Sequence, residues 1–207
     1  NKNNLTSEYV NAFAQRLIEE TGRARKQGFE IHERQFQRLV YEYLEIELSI
    51  SYEEAERVFW DGVTPGAVMP GAGKMIDYIN SRGIRSGVIS NIMFSGKALS
   101  ERLNRLLPNN RFEFVIASSE YALRKPGPML FALALKKAGL EAEKVWFCGD
   151  NPQADVAGAA QVGIFPVWYD NDTECDYRDR AKETPPVCRH LYIKEWDEMI
   201  EILEGLK

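Results

Sequence analysis

The stretch that most constrains this chain is Val145-Trp146-Phe147-Cys148-Gly149-Asp150-Asn151-Pro152-Gln153-Ala154-Asp155-Val156-Ala157-Gly158-Ala159-Ala160. A short run of strand-forming residues stops at Gly149 and turns through Asp150. It then enters a helix whose first turn accepts Pro152, because a residue there needs no amide hydrogen. An acid is thereby placed at the carboxyl end of a strand, where open α/β sheets bind ligands. Asp150 and Asp155 together can hold a hard cation such as magnesium through oxygen. The competing reading is that they only cap and solvate the helix start.

What surrounds this stretch is of two kinds. From about residue 6 to 60 the apolar periodicity is helical throughout. Val10, Phe13, Ala14, Leu17 and Ile18 form one face that Gly22 ends, and Phe36, Leu39, Val40, Tyr43 and Leu44 form a second. A third helix starts at Ser51 with Glu54 three residues on, a capping-box spacing. Asp61-Gly62-Val63-Thr64-Pro65-Gly66 then reads as a linker. Beyond it helix and strand alternate, with apolar strands expected at Gly87 to Asn91, Phe112 to Ala117, Val145 to Gly149, Ile164 to Trp168 and Cys188 to Ile193. Alternation of this kind predicts a doubly wound parallel sheet covered on both faces. The expected division is a helical unit over 6–62 and an α/β core over 67–207.

Composition narrows the function classes. A formal net charge of −5 gives no electrostatic reason to expect nucleic acid or an anionic membrane as partner. No apolar run approaches ~18 residues, and Asn1-Lys2-Asn3-Asn4 is unlike a signal peptide, so the expected location is the cytoplasm. Cys148, Cys175 and Cys188 form no C-x-x-C pair, and with only His32 and His190 a histidine-based zinc helix is excluded. Gly71-Ala72-Gly73-Lys74 is a helix start, not a nucleotide loop: Val68 stands where the first P-loop glycine belongs, and Met75 where Ser or Thr belongs.

Three segments at strand ends carry groups that suit a phosphoryl oxygen. Ser90 offers a hydroxyl and Asn91 an amide, although Ser-Asn after a strand is also an ordinary turn. Lys125, before Pro126, is biased to an extended approach and could neutralise a phosphate and a carboxylate together; alone it would be a surface lysine. Asp150 and Asp155 complete the set. Arg23, Arg25 and Lys26, read as lying between the first two helices, either face a substrate anion or form a solvated loop.

Val88-Ile89-Ser90-Asn91, Arg124-Lys125-Pro126-Gly127-Pro128 and Gly149-Asp150 with Asp155 resemble the second, third and fourth motifs of the haloacid dehalogenase-like (HAD) hydrolases. The likeness runs from about Met69 to the end of the chain, and residues 6 to 60 look like the helical cap that many members insert after their first motif. The resemblance implies a magnesium-dependent phosphohydrolase of a small phosphorylated metabolite, acting through an aspartyl-phosphate. Ser90 would bind the phosphoryl group, Lys125 would steady nucleophile and phosphate, and Asp150 and Asp155 would hold or orient Mg2+. Alternatives on the same fold are a phosphosugar mutase, a dehalogenase, or a catalytically silent binding protein.

One departure stands out. The family's first motif, a strand ending in Asp-x-Asp-x-Thr, has no match: Asp170-Asn171-Asp172-Thr173 lacks a residue and follows the wrong strand, and Asp61-Gly62-Val63-Thr64 follows a helix. In the family that strand lies mid-sheet. Leaving its neighbours' backbone groups unpaired costs ~1–3 kcal/mol each against a total stability of ~5–15 kcal/mol. The expectation is therefore that the sequence begins after the first motif. The strands ending at Ser90 and Gly149 should then lie ~10 Å apart, two inter-strand spacings. Direct pairing between them would overturn this architecture.

Overall fold

The computed structural model of the protein describes residues 5–171 and 183–206. Cys175 and the Asp172-Thr173 pair lie outside the described residues. Contacts divide the chain into two compact units. The first runs to Ala67 and takes in Ser90–Arg102 and Ile116–Arg124; the second comprises Val68–Ile89, Leu103–Val115 and the chain from Lys125.

In the first unit, α1 (Ser7–Lys26) is capped by the Thr6 hydroxyl, α2 (Glu33–Tyr43) by the His32 ring, and α3 (Tyr52–Val63) by Ser51, whose side chain accepts from the amide of Glu54. Gly22 does not end α1. A single helical glycine costs only ~1 kcal/mol relative to alanine. The basic residues Arg23, Arg25 and Lys26 in the last turn complement the negative end of the helix dipole. These three therefore sit on α1, not in the connection to α2, and the chain turns at Gly28 with φ +88°. Likewise Asp61, Gly62 and Val63 close α3 instead of forming a linker. Arg102 fastens that end, with its Nη2 2.9 Å from Asp61 Oδ1 and its guanidinium 3.9 Å over the Trp60 ring. The polar residues Glu33, Gln37 and Glu56 are buried on α2 and α3, whereas α1 buries none of its residues.

The remaining elements are α4 (Ala72–Ser81), β1 (Val88–Ser90), α5 (Gly96–Leu106), β2 (Val115–Ala117), α6 (Pro128–Ala138), β3 (Trp146–Gly149), a π-helical turn (Pro152–Ala157), α7 (Gly158–Gln161), β4 (Phe165–Tyr169), β5 (Leu191–Ile193) and α8 (Trp196–Gly205). Strand β1 pairs with β2, and β3, β4 and β5 form a parallel sheet in that order. Among the described residues no ladder joins β1 to β3, so the direct pairing that would have overturned the expected strand order is not found.

The parallel sheet is covered on both faces, as the alternating pattern predicts. Val167, Tyr169 and Ile193 pack on Met75 and Ile79 of α4 and on Met199 and Ile200 of α8. On the other face Phe131 meets Phe147 edge-on at 5.0 Å, beside the fully buried Val156. Each such side chain stabilises by ~1.5–3 kcal/mol. Pro166 is tolerated in the middle strand by register. Phe165 donates its amide to Val145 of the β3 side, so the next residue faces β5, whose pairing begins only at Val167.

Candidate active site

The turn after β3 is held by a residue that the sequence reading passed over. Asn151 caps the π-helical turn, its Oδ1 accepting from the amides of Gln153 at 3.0 Å and Ala154 at 2.7 Å. Neither Asp150 nor Asp155 performs this capping. Asp155 instead turns its carboxylate back toward the strand, where Oδ2 accepts from the Asn151 amide at 3.0 Å and Oδ1 from the Lys125 ammonium at 2.5 Å. Space for this exists only because residue 149 is glycine: a Cβ there would meet the Asp155 Cβ at 2.4 Å and its Cγ at 2.5 Å.

Lys125 reaches the same point from the segment before α6. Its ammonium donates to the carbonyl of Ile89 at 3.0 Å and lies 4.9 Å from the centre of the Phe147 ring. Its side chain is 8% exposed and that of Asp155 7%. Charged groups this buried are rare unless paired, and an ionised donor on an ionised acceptor makes the strongest class of hydrogen bond. Gly158 permits the approach, since a Cβ there would stand 3.0 Å from the Pro126 Cα.

Asp150, at the end of β3, is partly exposed, and its carbonyl accepts from the Trp168 indole at 3.2 Å. Burial pushes the Cys148 thiol up to about 12, away from the reactive thiolate form. Ser90 and Asn91 follow Ile89 at the end of β1, both partly buried, and belong to the first unit. Of the residues singled out from sequence, Lys125 and Asp155 are thus in direct contact within the second unit, with Asp150 five positions before Asp155 on the same turn.

Among the described residues no three His, Cys, Asp or Glu side chains come together as a metal cluster. Magnesium does not require one. It keeps several waters and is held by one or two carboxylates together with substrate phosphate oxygens, so the all-oxygen donor set of Asp150 and Asp155 suits it.

A sequence model of the haloacid dehalogenase-like hydrolases matches residues 3–163, a span that includes Ser90, Lys125, Asp150 and Asp155. The chain belongs to that family. Among curated HAD-like relatives, a glyceraldehyde 3-phosphate phosphatase of Pyrococcus abyssi is 33% identical over 103 residues, 49% of this chain and 42% of the relative. A phosphoserine phosphatase of Thermus thermophilus is 43% identical over 61 residues, 30% of this chain and 24% of the relative. The chain thus spans less than half the length of either. A 2-haloacid dehalogenase from Pseudomonas syringae has the same fold, with a TM-score of 0.63 at 22% identity over 98% of this chain and 83% of that one.

Proposed function

We propose that this HAD-like chain belongs to a magnesium-dependent phosphohydrolase of a small phosphorylated metabolite that works through an aspartyl-phosphate. The observation that carries the reading is the Lys125 ammonium, buried between the Ile89 carbonyl and the Asp155 carboxylate. A strand residue of the second motif, the lysine of the third and an acid of the fourth meet at one atom. Phosphoryl transfer is catalysed mostly by positioning and charge stabilisation, and a dry, oriented ammonium serves both.

In this reading Lys125 offsets the negative charge of nucleophile and phosphoryl group, while Asp155 and the Ile89 carbonyl fix where that charge stands. Ser90 supplies a hydroxyl and Asn91 an amide to the phosphoryl oxygens. Asp155 already has an N–H donor on each oxygen, so Asp150 would be the direct metal ligand and Asp155 the acid that orients the site. When bound, the cation supplies charge neutralisation at the phosphoryl oxygens. The nucleophile would be the first-motif aspartate, which none of these 207 residues matches. The names of the two phosphatase relatives support a small phosphorylated substrate. The dehalogenase likeness, at 22% identity, speaks to fold alone.

The test is phosphate release by the full-length protein from a panel that includes glyceraldehyde 3-phosphate and phosphoserine, with magnesium and with chelator. Expected is turnover that requires magnesium, falls at least ~10²-fold in Lys125→Met, and needs more magnesium in Asp150→Asn. Metal-independent halide release from a 2-haloacid, without phosphate release, would replace this reading with the dehalogenase one.

A further inference from the structure

Glu30 lies between α1 and α2, and its side chain is wholly excluded from solvent. Its Oε2 accepts from the Ser118 hydroxyl at 2.8 Å and pairs with the Arg124 guanidinium. Its Oε1 stands 3.4 Å from Arg25 Nε and accepts from the Ile31 amide at 3.3 Å. The backbone reinforces the junction. Glu30 donates its amide to Ala122 at 3.0 Å and Arg124 donates to Gly28 at 2.9 Å, so Phe29 and Leu123 form an antiparallel bridge.

Ser118 passes the constraint one step further. A serine hydroxyl has one proton and two lone pairs. With the proton directed at Glu30, a lone pair faces the amide of Ile92, whose nitrogen is 2.8 Å away. That amide closes the peptide unit of Asn91. Arg124, held by the same carboxylate oxygen, is the residue before Lys125. A single buried acid therefore governs the backbone at two places, each adjoining a residue to which the phosphatase reading gives a role.

We infer that Glu30 is a positioning residue, which fixes the Asn91–Ile92 peptide through Ser118 and the approach to Lys125 through Arg124. The inference rests on the phosphatase reading for what those two places do. It touches no substrate, so its loss acts on turnover more than on binding. Misplacing a catalytic group by about 1 Å costs on the order of 10²-fold.

The test uses the full-length protein, three single variants and one double variant. Glu30→Gln keeps an acceptor for Ser118 but lacks the charge that holds Arg124, Glu30→Ala lacks both, and Ser118→Ala removes the relay. Expected is a fall in kcat of about tenfold for Glu30→Gln and about 10²-fold for Glu30→Ala, with KM within about threefold of wild type. The Glu30→Ala/Ser118→Ala double variant should fall well short of the product of the two single losses, because both act along one path. Amide exchange gives a readout independent of turnover. The Ile92 amide should exchange at least about tenfold faster in Glu30→Ala, while the Val167 amide in the parallel sheet keeps its rate. Unchanged Ile92 exchange, unchanged kcat, or losses that multiply in full would overturn the inference. If the wild-type protein releases no phosphate, yet the Ile92 amide still exchanges faster in Glu30→Ala, the phosphatase reading falls and the positioning role of Glu30 stands.

Discussion

Among the described residues the second unit buries one ammonium against one carboxylate, Lys125 on Asp155, whereas the first unit buries three carboxylates, Glu30, Glu33 and Glu56, among Arg25, Arg34 and Arg124. The second arrangement is a matched pair whose geometry is set by what is missing at Gly149 and by the Asn151 amide. The first sets its three arginines on two of its acids, Arg25 and Arg124 on Glu30 and Arg34 on Glu56, and is shared out among loop segments: Glu56 accepts from the Ser95 amide at 2.6 Å and its hydroxyl at 2.8 Å, and Glu30 takes Ser118. A matched pair has no spare charge to lose, so its energy is concentrated in two side chains. Where two arginines share one acid, another acid of the group can shed its charge at modest cost. Burial, and then the neighbouring Glu56 charge, push the Glu33 carboxyl up to about 7.

That contrast breaks most visibly at Gly149. Gly149→Ala drives a methyl group into Asp155, expels the carboxylate and strands the Lys125 ammonium, so overpacking adds to the loss of the pair. Urea unfolding should show a loss of roughly 4–8 kcal/mol, the sum of an overpacked site and a broken buried pair. Next come the partners themselves. Lys125→Met and Asp155→Leu should each cost ~3–5 kcal/mol, because each leaves an uncompensated buried charge, while the double variant should recover most of that loss. Single losses under about 1 kcal/mol would show the pair to be screened like one at the surface, and the distinction from the first unit would fail.

The parts of this molecule that were legible in its sequence are those with a periodic or local cause. The strand and turn from Trp146 to Pro152, the two-sided sheet and the Ser51 cap follow from side-chain alternation and from groups within four positions of one another. Lys125 and Asp155 could be nominated because each lies in a segment that follows a predicted strand, but nothing local says that they touch: 30 positions separate them, and the contact depends on Gly149 and Gly158 having no side chain. Asn151 was readable in principle, as an Asn directly before a first-turn proline. Glu30, Glu33 and Glu56 carried no usable signal. A glutamate beside a helix start looks like ordinary solvated charge, and its burial is decided by arginines and serines as many as 94 positions away. The ends of α1 and α3 were missed for the related reason that glycine interrupts a helical pattern more readily than it interrupts a helix held at both ends.

The first unit's side of the comparison can be sharpened by titrating it. With Glu33 folded at about 7 and at 4.5 when unconstrained, the native state keeps a proton between those values that the unfolded chain has released. Stability contributed by this group is therefore intact below pH ~4.5, falls as pH rises toward 7, and stays low above it. At 1.36 kcal/mol per pH unit the total is on the order of 3 kcal/mol, already net of the opposite pull of the Gln37 amide and Arg25. Glu33→Gln substitutes a neutral side chain of the same shape. It should unfold with nearly the wild-type free energy at pH 4.5, and should be the more stable protein at pH 8 by about 1–3 kcal/mol. Equal stabilities at pH 8 would mean that Glu33 is ionised in the folded protein at no cost. The arginines would then neutralise all three acids, and the first unit would be a matched network like the second.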